Sequence, residues 1–174
     1  MTAPLYERDP DAWYAQLAEG NAKQARKRVA VDVLIRDEDS RFLVVNPTYK
    51  PGWDLPGGMA EANEPPVDAL RRELSEELGL HLAAYRLLCV DWVPPHGPWD
   101  DLLAFIFDGG VLTESERQRL AVRDPEISEF RFVMPAELQE MVRPRLARRV
   151  GYALDALRSG APRTSRTVTR SVVS

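Results

Sequence analysis

The sequence predicts a mixed α/β sandwich, and three observations carry that expectation. Apolar residues alternate at period two in RVAVDVLIRD and recur at helical spacing in PPVDALRRELSEEL, so strands and helices are both one-sided and each needs a partner layer. Strands and helices interleave along the chain without regular strand–helix–strand alternation, which argues against a wholly parallel sheet. No self-similarity appears at solenoid periods.

Each element follows from its residues. The opening DPDAWYAQLAEGNAKQARKR reads as an amphipathic helix with Trp13, Leu17 and Ala18 on one face and a basic end from Lys23 to Arg28. In RVAVDVLIRD, Val29, Val31, Val33 and Ile35 point one way. DEDS is a turn signal and RFLVVNP a second strand, so the pair forms a hairpin. The loop TYKPGWDLPGG leads to a helix over Pro65 to Leu78, whose prolines fall in the first turn, where an amide has no helical partner. LAAYRLLCVDWV and DLLAFIFDG are two more strands joined by PPHGPWD. TESERQRLA is a short polar helix that Thr113 is placed to cap, and FRFVM is a further strand. PAELQEMV starts another helix, which RPRLARRVGYALDALRSG either completes or follows with a last one.

At 174 residues, with 44% apolar and 29% charged, the chain suits one domain with short ends. The expected division is an N-terminal helical extension (1–27), a core domain (28–158) and a flexible basic tail (159–174). No acid follows Asp155, whereas Arg158, Arg163, Arg166 and Arg170 sit among Ser, Thr, Gly and Pro, so the tail is read as solvated. A net charge of −4 argues against a general nucleic-acid binder. The single cysteine, Cys89, lies in the apolar run LLCVDWV and is expected as a core thiol in a reducing compartment. No apolar run approaches the ~20 residues of a membrane span, and MTAPLYERDPDAW lacks a secretory apolar segment. A cytoplasmic location is the expectation.

Gly57 to Leu80, GGMAEANEPPVDALRRELSEELGL, holds six carboxylates, and Glu73, Glu76 and Glu77 fall within five positions. On a helix these like charges meet at i+3 and i+4, destabilising it by about 0.2–0.5 kcal/mol per pair. Val67, Leu70, Leu74 and Leu78 form the apolar stripe, and the three glutamates lie on the adjoining sector, at the rim of the buried face. A divalent cation with hard oxygen ligands removes that repulsion, and a wholly solvated acidic face is the alternative reading.

Read with its spacing, Gly58, Glu64 and Arg72-Glu73-Leu74-Ser75-Glu76-Glu77-Leu78-Gly79-Leu80 resemble the signature of the Nudix hydrolases. That signature is G-x5-E-x7-R-E-U-x-E-E-x-G-U with U aliphatic, and every specified position matches. A chance match in a chain this long is rarer than roughly one in a million. The resemblance implies an α/β/α sandwich and hydrolysis, with Mg²⁺ or Mn²⁺, of a diphosphate joined to another group, usually a nucleoside. It implies Glu73, Glu76 and Glu77 as metal ligands, joined by the Gly57 carbonyl, with Arg72, Glu64, Gly58 and Gly79 in support. The water's proton is expected to go to Glu73, or to Glu126 or Glu129 in DPEISEF, either of which could equally be a surface acid.

The group joined to the diphosphate leaves fainter marks. Pro95 falls where the ADP-ribose type carries a proline, although turn chemistry also explains a proline in PPHGP. Where the dinucleoside polyphosphate type carries a tyrosine, His96 and Gly97 stand. Trp53 and Phe105, with Tyr49, Trp92 and Trp99, are candidates to stack on a base, or else core. The expected substrate is an ADP-ribose-like sugar nucleotide or a nucleoside triphosphate. The alternatives are a non-catalytic nucleotide-binding domain of regulatory role, or an isomerase-like relative using Cys89. A homodimer through the N-terminal helix is possible.

Overall fold

The computed structural model describes residues 3–83 and 85–166. Strands β1 (Arg28–Asp37), β2 (Phe42–Pro47), β3 (Gly57–Met59), β4 (Arg86–Val93), β5 (Leu102–Leu112), β6 (Ile127–Val133) and β7 (Arg163–Arg166) form one mixed sheet. Its order is β6-β2-β1-β5-β4-β7, with β3 added against β1. β1 runs parallel to β5, and on its other side it meets β2 at Arg36 and β3 at Ala30 to Asp32. The helices are α1 (Leu5–Arg8), α2 (Pro10–Ala22), α3 (Pro66–Leu78), α4 (Glu114–Arg117), α5 (Pro135–Met141) and α6 (Pro144–Ser159).

Helices cover both faces of the sheet, which makes the sandwich. On one face α3 buries Ala69, Leu70, Leu74 and Leu78 against Val31, Val33 and Ile35 of β1 and Leu43 and Val45 of β2. On the other, Leu138 of α5 and Val150, Ala153 and Leu154 of α6 pack on Leu34, Phe42, Val44, Leu88 and Ile106. Strand alternation thus sends the odd residues of β1 to α3 and Leu34 to α6. Leu74 is fully buried beneath the acidic turn of α3. Leu74→Ala should lower unfolding stability by about 2–5 kcal/mol in urea titrations; a loss below 1 kcal/mol would contradict this packing.

The structure decides three points of the sequence reading. The N-terminal helix forms, capped by Asp9 accepting from the Ala12 N–H at 3.0 Å, but no residue of α1 or α2 is buried. Trp13 of α2 instead packs on Tyr6 of α1 and on its neighbour Tyr14. The run after Met141 is a separate helix, because Val142 is extended and Pro144 cannot continue α5. The segment expected as a flexible tail carries a strand, since Arg163 to Arg166 finds the free edge of β4; residues 167–174 of that tail, with Arg170, lie outside the described residues. Cys89 is buried in the core. Among the described residues no helix is long and apolar enough to cross a membrane.

Candidate active site

Two glycines let the backbone of β3 lie against α3. Gly57 has φ 136°, and a Cβ there would stand 2.0 Å from the Val31 carbonyl oxygen. A Cβ on Gly58 would stand 2.4 Å from the Glu73 carboxyl group. Glu73 therefore sits over Gly58, and Glu77 accepts the Gly57 N–H at 3.1 Å. Gly79 ends α3 in the left-handed region at φ 63°, and its N–H returns to the Ser75 carbonyl.

Arg72 organises the rim. Its Nε and Nη2 donate to the two oxygens of Glu64, both at 3.0 Å, as a two-pronged fork. Nη1 donates to Glu73 at 3.0 Å and Glu76 at 3.1 Å, and Nη2 also reaches the Met59 carbonyl at 3.0 Å. The fork raises the Arg72 pKa beyond the usual guanidinium range and holds Glu64 below the usual carboxylate range. Glu73 is pushed up by burial, against the pull of Arg72. Glu77 is pushed up to about 8, first by burial and then by the neighbouring charges of Glu73, Asp32 and Asp54. Glu76 stays half-exposed.

Asp32 of β1, Asp54 and Glu77 line a cleft of about 1010 Å³. Burial, with the charge of Asp54, pushes Asp32 up to about 7 in spite of Arg149. The same cleft is lined by the cations Arg28, Lys50, Arg143, Arg145 and Arg149. Lys50 pairs with Asp54 at 2.5 Å, and Arg149 with Asp32 at 3.3 Å. Tyr49, His96 and Trp99 border the same space.

Of the expected site residues, Gly57, Gly58 and Glu77 line the cleft. Glu64, Arg72, Glu73, Glu76 and Gly79, and likewise Trp53, Pro95, Phe105 and Glu126, are not among its lining residues. Phe105 is in register with Val31, so it faces α3 and stacks on Phe107 at 6.2 Å. Trp53 packs on the core beneath α5 and α6, with the Arg131 guanidinium 4.8 Å above its ring. Pro95 is exposed on the turn beside His96. Glu126 is exposed, its amide bonded to Asp124 at 2.8 Å, and Glu129 is held by Arg131. Asp32, Asp54 and the cation wall escaped the sequence reading. The signal for Asp32 was an acid in the strand VDVLI, but its place in the alternation reads equally as solvent-facing.

Among the described residues no three ligating side chains converge as a ready metal group. Glu73 and Glu76 share Arg72 Nη1, and Glu77 instead accepts from the Gly57 N–H. The donor set nonetheless fits a hard divalent cation. Glu73, Asp32 and Asp54 stand close enough to Glu77 to push its carboxyl up, and Asp54 does the same to Asp32, so hard oxygen atoms crowd one partly buried space.

A family model described as the NUDIX domain matches residues 26–154. The chain belongs to the Nudix family. An RNA pyrophosphohydrolase of Halorhodospira halophila is 42% identical over 53 residues, covering 30% of this chain and 29% of that protein. An uncharacterised Nudix hydrolase of Pseudomonas aeruginosa is 35% identical over 119 residues, covering 64% of this chain and 59% of that one. The chain thus spans less than two thirds of the length of these curated relatives. Among solved structures, the Nudix domain of Shewanella oneidensis NrtR, crystallised with ADP-ribose, superposes with a TM-score of 0.65 at 17% identity, covering 84% of this chain and 98% of that chain. This last likeness is one of fold. Nudix hydrolases generally use divalent metals.

Proposed function

We propose that this Nudix chain is a Mg²⁺-dependent hydrolase, with Mn²⁺ as substitute, that cleaves the diphosphate linkage of a nucleoside diphosphate derivative. ADP-ribose-like sugar nucleotides and nucleoside triphosphates are its substrate classes. The observation that carries this reading is that Glu77 of α3, held on Gly57 beside Glu73 over Gly58, opens onto a cleft lined by Asp32, Asp54 and five cations.

Glu73, Glu77 and the Gly57 carbonyl would hold the metal, with Glu76 turning in from the rim. When bound, it supplies charge neutralisation at the phosphate and a more acidic water. Arg72 fixes Glu73 through the bond at 3.0 Å and is itself locked by Glu64. Glu73 takes the water's proton. The cation wall draws the polyphosphate in by its charge, and Tyr49 and Trp99 offer flat faces to the base.

A panel of nucleoside diphosphate derivatives with Mg²⁺ or Mn²⁺, read by mass spectrometry of products, tests this directly. Release of a nucleoside monophosphate is expected, and no product from any member would overturn the reading. Glu73→Gln should lower kcat by about 10²–10⁴-fold with an unchanged thermal midpoint. Arg72 holding both Glu73 and Glu76 favours one second reading, a Nudix domain that binds nucleotide without turnover. Calorimetric binding of ADP-ribose by a chain inactive on the whole panel would select it.

A further inference from the structure

The C-terminal strand reaches the cleft through one arginine. β7 runs parallel to β4 with Ser165 in register with Asp91. The Ser165 hydroxyl donates to Asp91 Oδ1 at 2.6 Å. Asp91 is 2% exposed, and its Oδ2 accepts from Arg149 Nε at 3.3 Å. Arg149 Nη1 in turn donates to Asp32 Oδ2 at 3.3 Å, and Arg149 and Asp32 both line the cleft.

Of the cations lining the cleft, Lys50 and Arg143 pair with Asp54, whereas Arg149 pairs with Asp32 and is anchored from behind by Asp91. The Arg149 side chain is only 12% exposed, so its field is less screened than that of Arg143 at 55%. Asp32 is directly in register with Gly57, whose N–H donates to Glu77 of α3, so a short chain of contacts links Arg149 to that carboxylate. Its contacts with Asp32 and Asp91 are longer than the about 2.7–2.9 Å of a tight charge-assisted bond. They engage two of the five N–H donors of a guanidinium, leaving the rest for an anion. Asp91 is the fixed side of this arrangement, because it is buried and a short bond from β7 holds it. Asp32 is the side that a doubly charged phosphate can displace.

We propose that Arg149 grips a phosphate of the substrate, and that Ser165 is a positioning residue that sets the guanidinium in place through Asp91. The choice of substrate rests on the nucleoside diphosphate reading above; the anion site itself does not require turnover. The C-terminal strand is then part of the working site even though it stands at the sheet's edge.

Calorimetry of the full chain with inorganic pyrophosphate, in chelator and without metal, tests the site apart from catalysis. Ser165→Ala should weaken pyrophosphate binding about fivefold, equivalent to about 1 kcal/mol, and Ser165→Thr, which keeps the hydroxyl, should restore it. Arg149→Lys, which keeps the charge but not the fork, should weaken it more than Ser165→Ala does. On a turned-over nucleotide, Ser165→Ala should raise KM by the same factor while kcat stays within about twofold. The proposal is overturned if the wild type does not bind pyrophosphate, if Ser165→Ala binds like wild type, or if it lowers kcat alone. Pyrophosphate binding lost in Arg149→Lys, in a chain inactive on every nucleotide, would sink the hydrolase reading and leave the Arg149 site standing. Turnover with unaltered KM in both variants would do the reverse.

Discussion

Glu77→Gln should stabilise the metal-free protein at pH 8 while cutting Mg²⁺-dependent turnover by at least about 100-fold. Glu77 is 8% exposed and its carboxyl is pushed up to about 8, against an ordinary value of 4.5. Between those two values the folded protein holds a proton that the unfolded chain has released. Stability therefore falls as pH rises through this window, and it is greatest at the acid end. Asp32, pushed up to about 7, adds a slope of the same sign. For Glu77 the fall amounts to roughly 2–4 kcal/mol across the window, at about 1.4 kcal/mol per pH unit of displacement, discounted for relaxation. Glutamine keeps an oxygen for the Gly57 N–H and removes the charge, so its stability curve should be flatter and higher at pH 8. Urea midpoints in chelator from pH 5 to pH 8 read this out. A wild-type midpoint that is level or rises over that range would refute it. The expected pairing of gained stability with lost turnover belongs to a charge that is held for function against the preference of the fold.

Gly57→Ala should cost about 3–5 kcal/mol or prevent folding. The new methyl would stand 2.0 Å from the Val31 carbonyl oxygen and 3.0 Å from Asp32 Cα, and both are backbone atoms of the strand at the centre of the sheet. A flexible side chain could turn away, but a paired strand cannot. The φ of 136° adds strain for any residue with a Cβ. Relief would require β3 to leave β1, breaking the register Asp32↔Gly57 and withdrawing the amide from Glu77. Circular dichroism and thermal melts of the variant measure the effect. A well-folded Gly57→Ala protein with a midpoint near wild type would show that β3 is not held this tightly.

The part of the site that could be read from sequence is local. Glu73, Glu76 and Glu77 share a sector because they lie on one helix, and helical periodicity alone fixes their relation. Gly79 announces a left-handed helix end, and the spacing of Glu64 from Arg72 spans one short loop into the same helix. Strand alternation likewise grouped Val31, Val33 and Ile35 correctly.

Those relations need only the geometry of a single element, and for that reason the sequence alone determined them, together with the sandwich and the family. The remainder depended on which layer covers each face. Alternation shows that Asp32 is opposite Val31, but not whether its own side meets water, a helix or a cleft; α6 and its Arg149, 117 residues away, decide that. The same uncertainty applies to Phe105, since a strand's pattern is equally satisfied with either face toward the cleft, and its register with Val31 turns it to α3. Arg163 to Arg166 of the basic tail became a strand because β4 offered an edge, which no property of RTSR by itself reveals. Contacts between residues distant along the chain are settled by packing, and only the tertiary structure holds that information.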